Sequence, residues 1–214
     1  MERIKSKEKI LKEQQAIDRV FLNEPWKSIT YSDIEKLSGK KSKSFIYNAI
    51  NRLKKENLIE FKKIGKRAII YNAKLNTALS QAYWGFLNEY NSWNQKKFPF
   101  KIIENLRAKI PTSFFSLIVA GSYAKNTPTS KSDLDVIIIS NIEPKVIYSE
   151  LKLESETSMP KVHLFVFKEQ EFLSMLLDKK DNYGKEISKN NLIFYGGASY
   201  YSILSDALNN GFKG

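Results

Sequence analysis

The residues best placed to do chemistry are Gly121 and Ser122, then, after ten intervening residues, Asp133-Leu134-Asp135. The apolar run SLIVA precedes them and VIII follows, so two strands flank a turn and a short helix beginning at the Gly-Ser pair. Backbone N–H groups at a helix N-terminus have no partner within the helix and sit at the positive end of its dipole, which suits a polyphosphate. Asp133 and Asp135, two apart on a strand, project from the same face. Mg²⁺ takes one or two carboxylates and fills its shell with substrate phosphates. The spacing therefore predicts a site for a nucleoside triphosphate with Mg²⁺ (or Mn²⁺).

This segment resembles the nucleotidyltransferase superfamily that includes DNA polymerase β, and most closely its minimal nucleotidyltransferase branch. The family pattern is Gly-Ser, a variable loop often containing Arg-Gly, then Ser-Asp-x-Asp entering a strand. Gly121, Ser122, Ser132, Asp133 and Asp135 keep it, with Lys125-Asn126 where Arg-Gly is usual. Asn tolerates left-handed backbone, and Lys keeps the charge without the bidentate fork. The resemblance implies that Asp133 and Asp135 are catalytic and hold the metals. It implies that Gly121, Ser122, Lys125 and Ser132 bind the nucleotide, expected to be ATP, with Lys131 as a further cation. A third carboxylate is expected on the neighbouring strand, KVHLFVF at residues 161–167, but the matching position holds His163. Imidazole brings no negative charge and prefers softer metals than Mg²⁺. Glu169 and Glu171 follow that strand. Members of the minimal branch often act as antitoxins that adenylylate or bind a partner toxin.

The elements carrying these residues read as an α/β mixed-sheet domain over residues 98–214, long enough to bury its own core. A helix in KIIENLRAKI precedes the two site strands, and a helix in PKVIYSELKLE leads to the strand bearing His163. KEQEFLSMLLDKK reads as a helix with Phe172, Met175 and Leu176 inward; NLIFYG is a last strand or leads into a final helix, YYSILSDALNNG. Residues 77–97 form a linker helix whose stripe Tyr83, Phe86, Leu87, Tyr90 and Trp93 either packs on this domain or pairs a second chain as a homodimer.

Charge separates a second module. Residues 1–80 hold 19 Lys and Arg against 9 Asp and Glu, a net of +10, whereas residues 81–214 hold 16 against 14, a net of +2. Basicity confined to one end points to a polyanion partner there. A helix over residues 6–22 carries Ile10, Leu11, Ile17, Val20 and Phe21; a second follows Thr30 or Ser32 and ends at Gly39. A third, from about Ser42 to Glu56, turns Ile46, Ala49, Ile50 and Leu53 inward. Its outer face offers Lys43, Ser44, Tyr47, Asn48, Asn51 and Lys55, types that bond bases and phosphates. Two strand-like runs meet around Gly65, where Lys62, Lys63, Lys66 and Arg67 crowd the turn. This resembles a winged helix-turn-helix domain over residues 1–76. The resemblance implies double-stranded DNA as partner, with the third helix in the major groove and the wing on flanking phosphates.

The chain has no cysteine, which excludes disulfides, zinc-thiolate sites and thiol nucleophiles, and its single His excludes a histidine cluster. SGKKS at residues 38–42 lacks the earlier glycine of a Walker loop. MERIKSKEKI has no apolar signal core and no run approaches a membrane span, so the expected location is cytoplasmic. Two functions follow. One is a Mg²⁺-dependent nucleotidyltransferase, antitoxin-like, transferring AMP to a protein or RNA acceptor, with a DNA-binding arm. The other is a non-catalytic transcriptional regulator that uses a degenerate nucleotidyltransferase fold as a nucleotide sensor or dimerisation platform.

Overall fold

A computed structural model describes residues 15–22, 24–65 and 68–214, which divide into two compact units, Met1–Ser80 and Gln81–Gly214. In the first unit a helical stretch ends in a 3₁₀ turn, Arg19–Phe21, burying Ile17, Val20 and Phe21. Ile10 and Leu11 lie outside the described residues. Helix α1 (Tyr31–Ser38) starts in a reciprocal cap: the Asp33 N–H donates to the Thr30 hydroxyl, and the Thr30 N–H donates to the Asp33 carboxylate. Helix α2 (Lys43–Lys55) is capped by Ser42 and buries Ile46, Ala49, Ile50 and Leu53, the expected inner face. Strands β2 (Ile59–Ile64) and β3 (Ala68–Ala73) form an antiparallel hairpin in which Ile64 faces Ala68 across the turn. A two-residue strand, β1 (Ile29–Thr30), joins β3, so the small sheet runs β1-β3-β2. The Arg52 guanidinium donates to both oxygens of the buried Asp18 at 2.6 Å, tying α2 to the first helical stretch.

Helix α3 (Ala78–Trp93) begins beside Thr77, whose hydroxyl accepts from the Ser80 N–H. From Gln81 onward it belongs to the second unit and packs there. Its inward residues are Trp84, Gly85, Leu87, Asn88 and Ser92, whereas Phe86, from the expected stripe, is 60 % exposed. Gly85 is required by closeness: a Cβ would lie 2.4 Å from the Ala198 nitrogen. That backbone opens the final helix, whose Gly197 N–H donates to Glu89 at 2.6 Å.

The second unit is a four-stranded mixed sheet between helices. Its strands are β4 (Phe115–Val119), β5 (Leu134–Ser140), β6 (Val162–Phe167) and β7 (Leu192–Tyr195), in the order β6-β5-β4-β7. β4 is antiparallel to β5 and β7, and β6 is parallel to β5. On one face, Leu117, Val119, Leu134, Val136 and Ile138 pack against helices α4 (Phe100–Lys109) and α6 (Pro144–Thr157) through Ile103, Leu106, Ile147 and Leu151. The other face is covered by α7 (Glu169–Leu177) and α9 (Gly197–Asn209), with α8 (Tyr183–Lys189) packed on α7. A short helix, α5 (Gly121–Ala124), bridges β4 and β5. Both edge strands are fastened from the side. The Val166 N–H of β6 donates to the Tyr148 hydroxyl at 3.1 Å, and the Ile193 N–H of β7 to Asn88 Oδ1 at 3.3 Å. The Trp93 indole N–H meets the Phe194 carbonyl at 3.0 Å.

Candidate active site and nucleic-acid interface

β4 delivers the chain to Gly121, which has φ +66°, a left-handed backbone that disfavours any Cβ. A Cβ there would also stand 2.0 Å from Asp135 Oδ2, so the missing side chain is what lets the loop lie against the carboxylate. The α5 turn is then closed by Lys125 N–H to Gly121 carbonyl and Thr127 N–H to Ser122 carbonyl. Those bonds use carbonyls, while first-turn N–H groups of a helix keep no intrahelical partner. Asn126 has φ 56°, supplying the left-handed backbone where glycine is usual in the pattern. Ser132 is engaged in its own loop: its hydroxyl accepts from the Thr129 N–H at 2.9 Å.

Asp133 ends that loop and Asp135 sits on β5, directly opposite His163 in the parallel register. The imidazole lies between the two carboxylates, with Nε2 3.2 Å from Asp133 Oδ2 and Nδ1 3.5 Å from Asp135 Oδ1. His163 is thus at the position where a third acid was expected, in contact with both aspartates and half exposed. Burial pushes the Asp135 carboxyl up; His163 pulls it down, and Asp133 and Glu186 push it further up. Glu169 and Glu171 belong instead to the first turn of α7, where the Lys168 N–H donates to Glu171.

Two groups at this centre had no expectation attached. Helix α8, capped by the Asn182 side chain, places Tyr183 and Glu186 there. Tyr183 packs on Phe165 of β6 with ring centroids 4.8 Å apart. Burial raises its phenol, and the charges of Asp135 and Glu186 raise it further. Its hydroxyl is buried without a hydrogen-bond partner. Glu186 accepts from Lys125 Nζ at 2.8 Å. The signal in the sequence was Asn182, a capping residue type, at the head of the short segment that carries Tyr183 and Glu186.

Among the described residues, no group of three or more His, Asp or Glu side chains is arranged to hold a metal by itself. Two partly exposed carboxylates fit Mg²⁺ arriving with a triphosphate, since that ion is held by one or two carboxylates plus phosphates.

In the first unit, Lys43, Ser44, Tyr47, Asn48, Asn51 and Lys55 all lie on the exposed side of α2. Tyr47 stacks on Tyr31 with centroids 4.9 Å apart. Lys62 and Lys63 are exposed on β2; Lys66 and Arg67, from the expected wing tip, lie outside the described residues. The same strand presents Phe61, 48 % exposed, with the Lys54 ammonium 3.9 Å from its ring centroid.

Residues 101–194 match the nucleotidyltransferase domain family model, which supports nucleotidyl transfer as the general activity. Domains of that family generally use a nucleoside triphosphate and a divalent metal. The match spans α4 to β7 and so includes Gly121, Asp133, Asp135, His163 and Glu186. Comparison with curated proteins and with solved structures returned no significant match. Among the described residues, no helix is long and apolar enough to cross a membrane.

Proposed function

We propose that the chain is a nucleotidyltransferase that moves AMP from ATP to a hydroxyl on a protein or RNA acceptor, carrying an N-terminal winged helix-turn-helix that binds double-stranded DNA. The observation that carries the first half is the fit of the Gly121 backbone against the Asp135 carboxylate, with Asp133 joined to the same centre through His163. In this reading the backbone at Gly121 and Ser122 holds the terminal phosphates, and Lys125 and Lys131 add positive charge. Asp133 and Asp135 fix the divalent ion, Mg²⁺ or Mn²⁺, which when bound neutralises phosphate charge and orients both oxygens. The acceptor hydroxyl releases its proton to solvent as its oxygen bonds to the α-phosphorus, the bond from that phosphorus to the bridging oxygen breaks, and pyrophosphate leaves with that electron pair. Asp135 is 27 % exposed, so its attraction to a cation is screened less than that of a fully exposed carboxylate.

The second half is supported by the β2–β3 hairpin that follows α1 and α2 and pairs with β1 before them, and by the exposed polar and basic face of α2 with Lys62 and Lys63. A DNA-binding arm on an adenylylating domain suits an antitoxin that acts on a toxin protein and represses its own promoter, working in the cytoplasm. DNA sites are commonly read by two-fold dimers, so a homodimer belongs to the same reading.

The position of His163 favours a second reading, in which the imidazole leaves the centre short of negative charge. The fold then acts as a nucleotide sensor or dimerisation platform for a regulator without catalysis. Incubation with α-labelled ATP, Mg²⁺ or Mn²⁺ and cell extract separates the two. Label reaching protein or RNA with wild type, and lost with Asp133→Ala and Asp135→Ala together, is the expected result. Label that persists in the double variant refutes the assignment of these residues, and ATP binding with no transfer favours the sensor.

A further inference from the structure

Helix α8 brings two groups near Asp135. Tyr183 and Glu186 stand three apart on one face, while Gly184, Ile187 and Ser188 are buried on another. Glu186 lies near enough to Asp135 for its charge to oppose ionisation there, and Tyr183 feels both acids. The partner of Glu186 is Lys125, whose Nζ donates to it at 2.8 Å. Lys125 closes the short helix that begins at Gly121, so a cation of the phosphate-facing loop is tied to an acid on α8. Both side chains are nearly half exposed, at 43 % and 49 %. An ion pair that exposed is weak and easily exchanged. A triphosphate offers Lys125 several charged oxygens in place of one carboxylate.

We propose that Glu186 is a positioning residue that competes with the triphosphate for Lys125. Loading of a nucleoside triphosphate draws Lys125 off Glu186 and onto phosphate oxygens. Glu186 thereby loses the cation that now partners it. The inference deepens the nucleotide-site reading and rests on it.

The test is calorimetric titration of the full chain with ATP and Mg²⁺, for wild type, Glu186→Gln, Lys125→Met and the double variant. Melting curves verify that each is folded. Glu186→Gln should bind ATP about two- to fivefold more tightly, the range spanned by an exposed ion pair. Lys125→Met should bind several-fold more weakly, and adding Glu186→Gln to it should change affinity by less than about 1.5-fold, because the competition is already gone. If Glu186→Gln gives the same gain in both backgrounds, Glu186 acts only through its field and the proposal fails. Unchanged or weaker binding by Glu186→Gln also overturns it. A folded wild type that takes no ATP overturns the nucleotide site itself, whereas ATP binding with an unmoved Glu186→Gln overturns the competition alone.

Discussion

Replacing Gly121 by Ala tests the closest contact of the site, and its consequences divide into two parts. The first is backbone: at φ +66° an L side chain costs about 1–2 kcal/mol. For a unit of this size that lowers the melting point by on the order of 4 °C per kcal/mol. The second is the carboxylate. The new Cβ would stand 2.0 Å from Asp135 Oδ2, whereas ordinary contact begins at 3.4 Å, so the carboxylate must retreat by about 1.4 Å. A shift of that size takes Asp135 out of ligand range. One interaction with a charged group contributes about 1.5–3 kcal/mol, so affinity for ATP with Mg²⁺ should fall roughly ten- to a hundredfold. Transfer should fall by about a hundredfold, as expected for a misplacement near 1 Å. Thermal melting reads the first part and calorimetry with ATP and Mg²⁺ the second. In an Asp135→Ala background, Gly121→Ala should keep the loss of stability but have no further effect on affinity. A Gly121→Ala variant that binds ATP with Mg²⁺ within twofold of wild type would refute the reasoning, because the loop would not then depend on meeting that carboxylate.

Three further outcomes follow from other contacts. Gly85→Ala should lower stability by about 1–3 kcal/mol in chemical denaturation, since the Ala198 nitrogen 2.4 Å from the new Cβ is backbone and cannot rotate away; a neutral effect would mean that α3 and α9 slide apart freely. Asp135→Asn should raise the melting point of the ligand-free protein near pH 7. The wild-type carboxyl is held above its ordinary value of 3.8 by burial first, so it disfavours folding while ionised and stops doing so once protonated. The advantage of Asn must therefore shrink as the pH falls toward 4, and an advantage that grows on acidification contradicts this sign. Lys62→Ala with Lys63→Ala should weaken duplex DNA binding in a mobility-shift titration and flatten its salt dependence by roughly one to two units of log–log slope. An unchanged slope would remove β2 from the interface.

Much of this molecule was legible in the order of its residues because the signals were local. The i, i+3, i+4, i+7 pattern of Ile46, Ala49, Ile50 and Leu53 needs one helix and one core, and all four are buried. Of the two aspartates expected on one strand, only Asp135 lies on β5, with Asp133 in the loop one residue before it, and His163 lies in a short apolar run that proves to be parallel to β5. The misses are non-local or short. β1 has two residues and exists only because Tyr71 and Ile70 are there to pair with it. The buried side of α3 contains Gly85, Asn88 and Ser92, which no hydropathy pattern selects; close approach to α9 and hydrogen bonds to β7 bury them. Phe86, chosen by aromatic spacing, stays exposed because that closest approach occurs one residue away, at Gly85. Helix α8 has seven residues and a weak apolar pattern, yet it brings Tyr183 and Glu186 to the centre, so part of the site was invisible to a reading based on motif spacing.

The lateral bonds at the two margins of the central sheet limit how this unit can associate. A strand offering unclaimed N–H and carbonyl groups invites a neighbouring chain to zip alongside it, a route to fibres as well as to dimers. Here a phenol from α6 occupies one margin, and an amide and an indole from α3 occupy the other. Pairing of a further strand at Val166 or at Ile193 therefore requires first dislodging Tyr148 or Asn88.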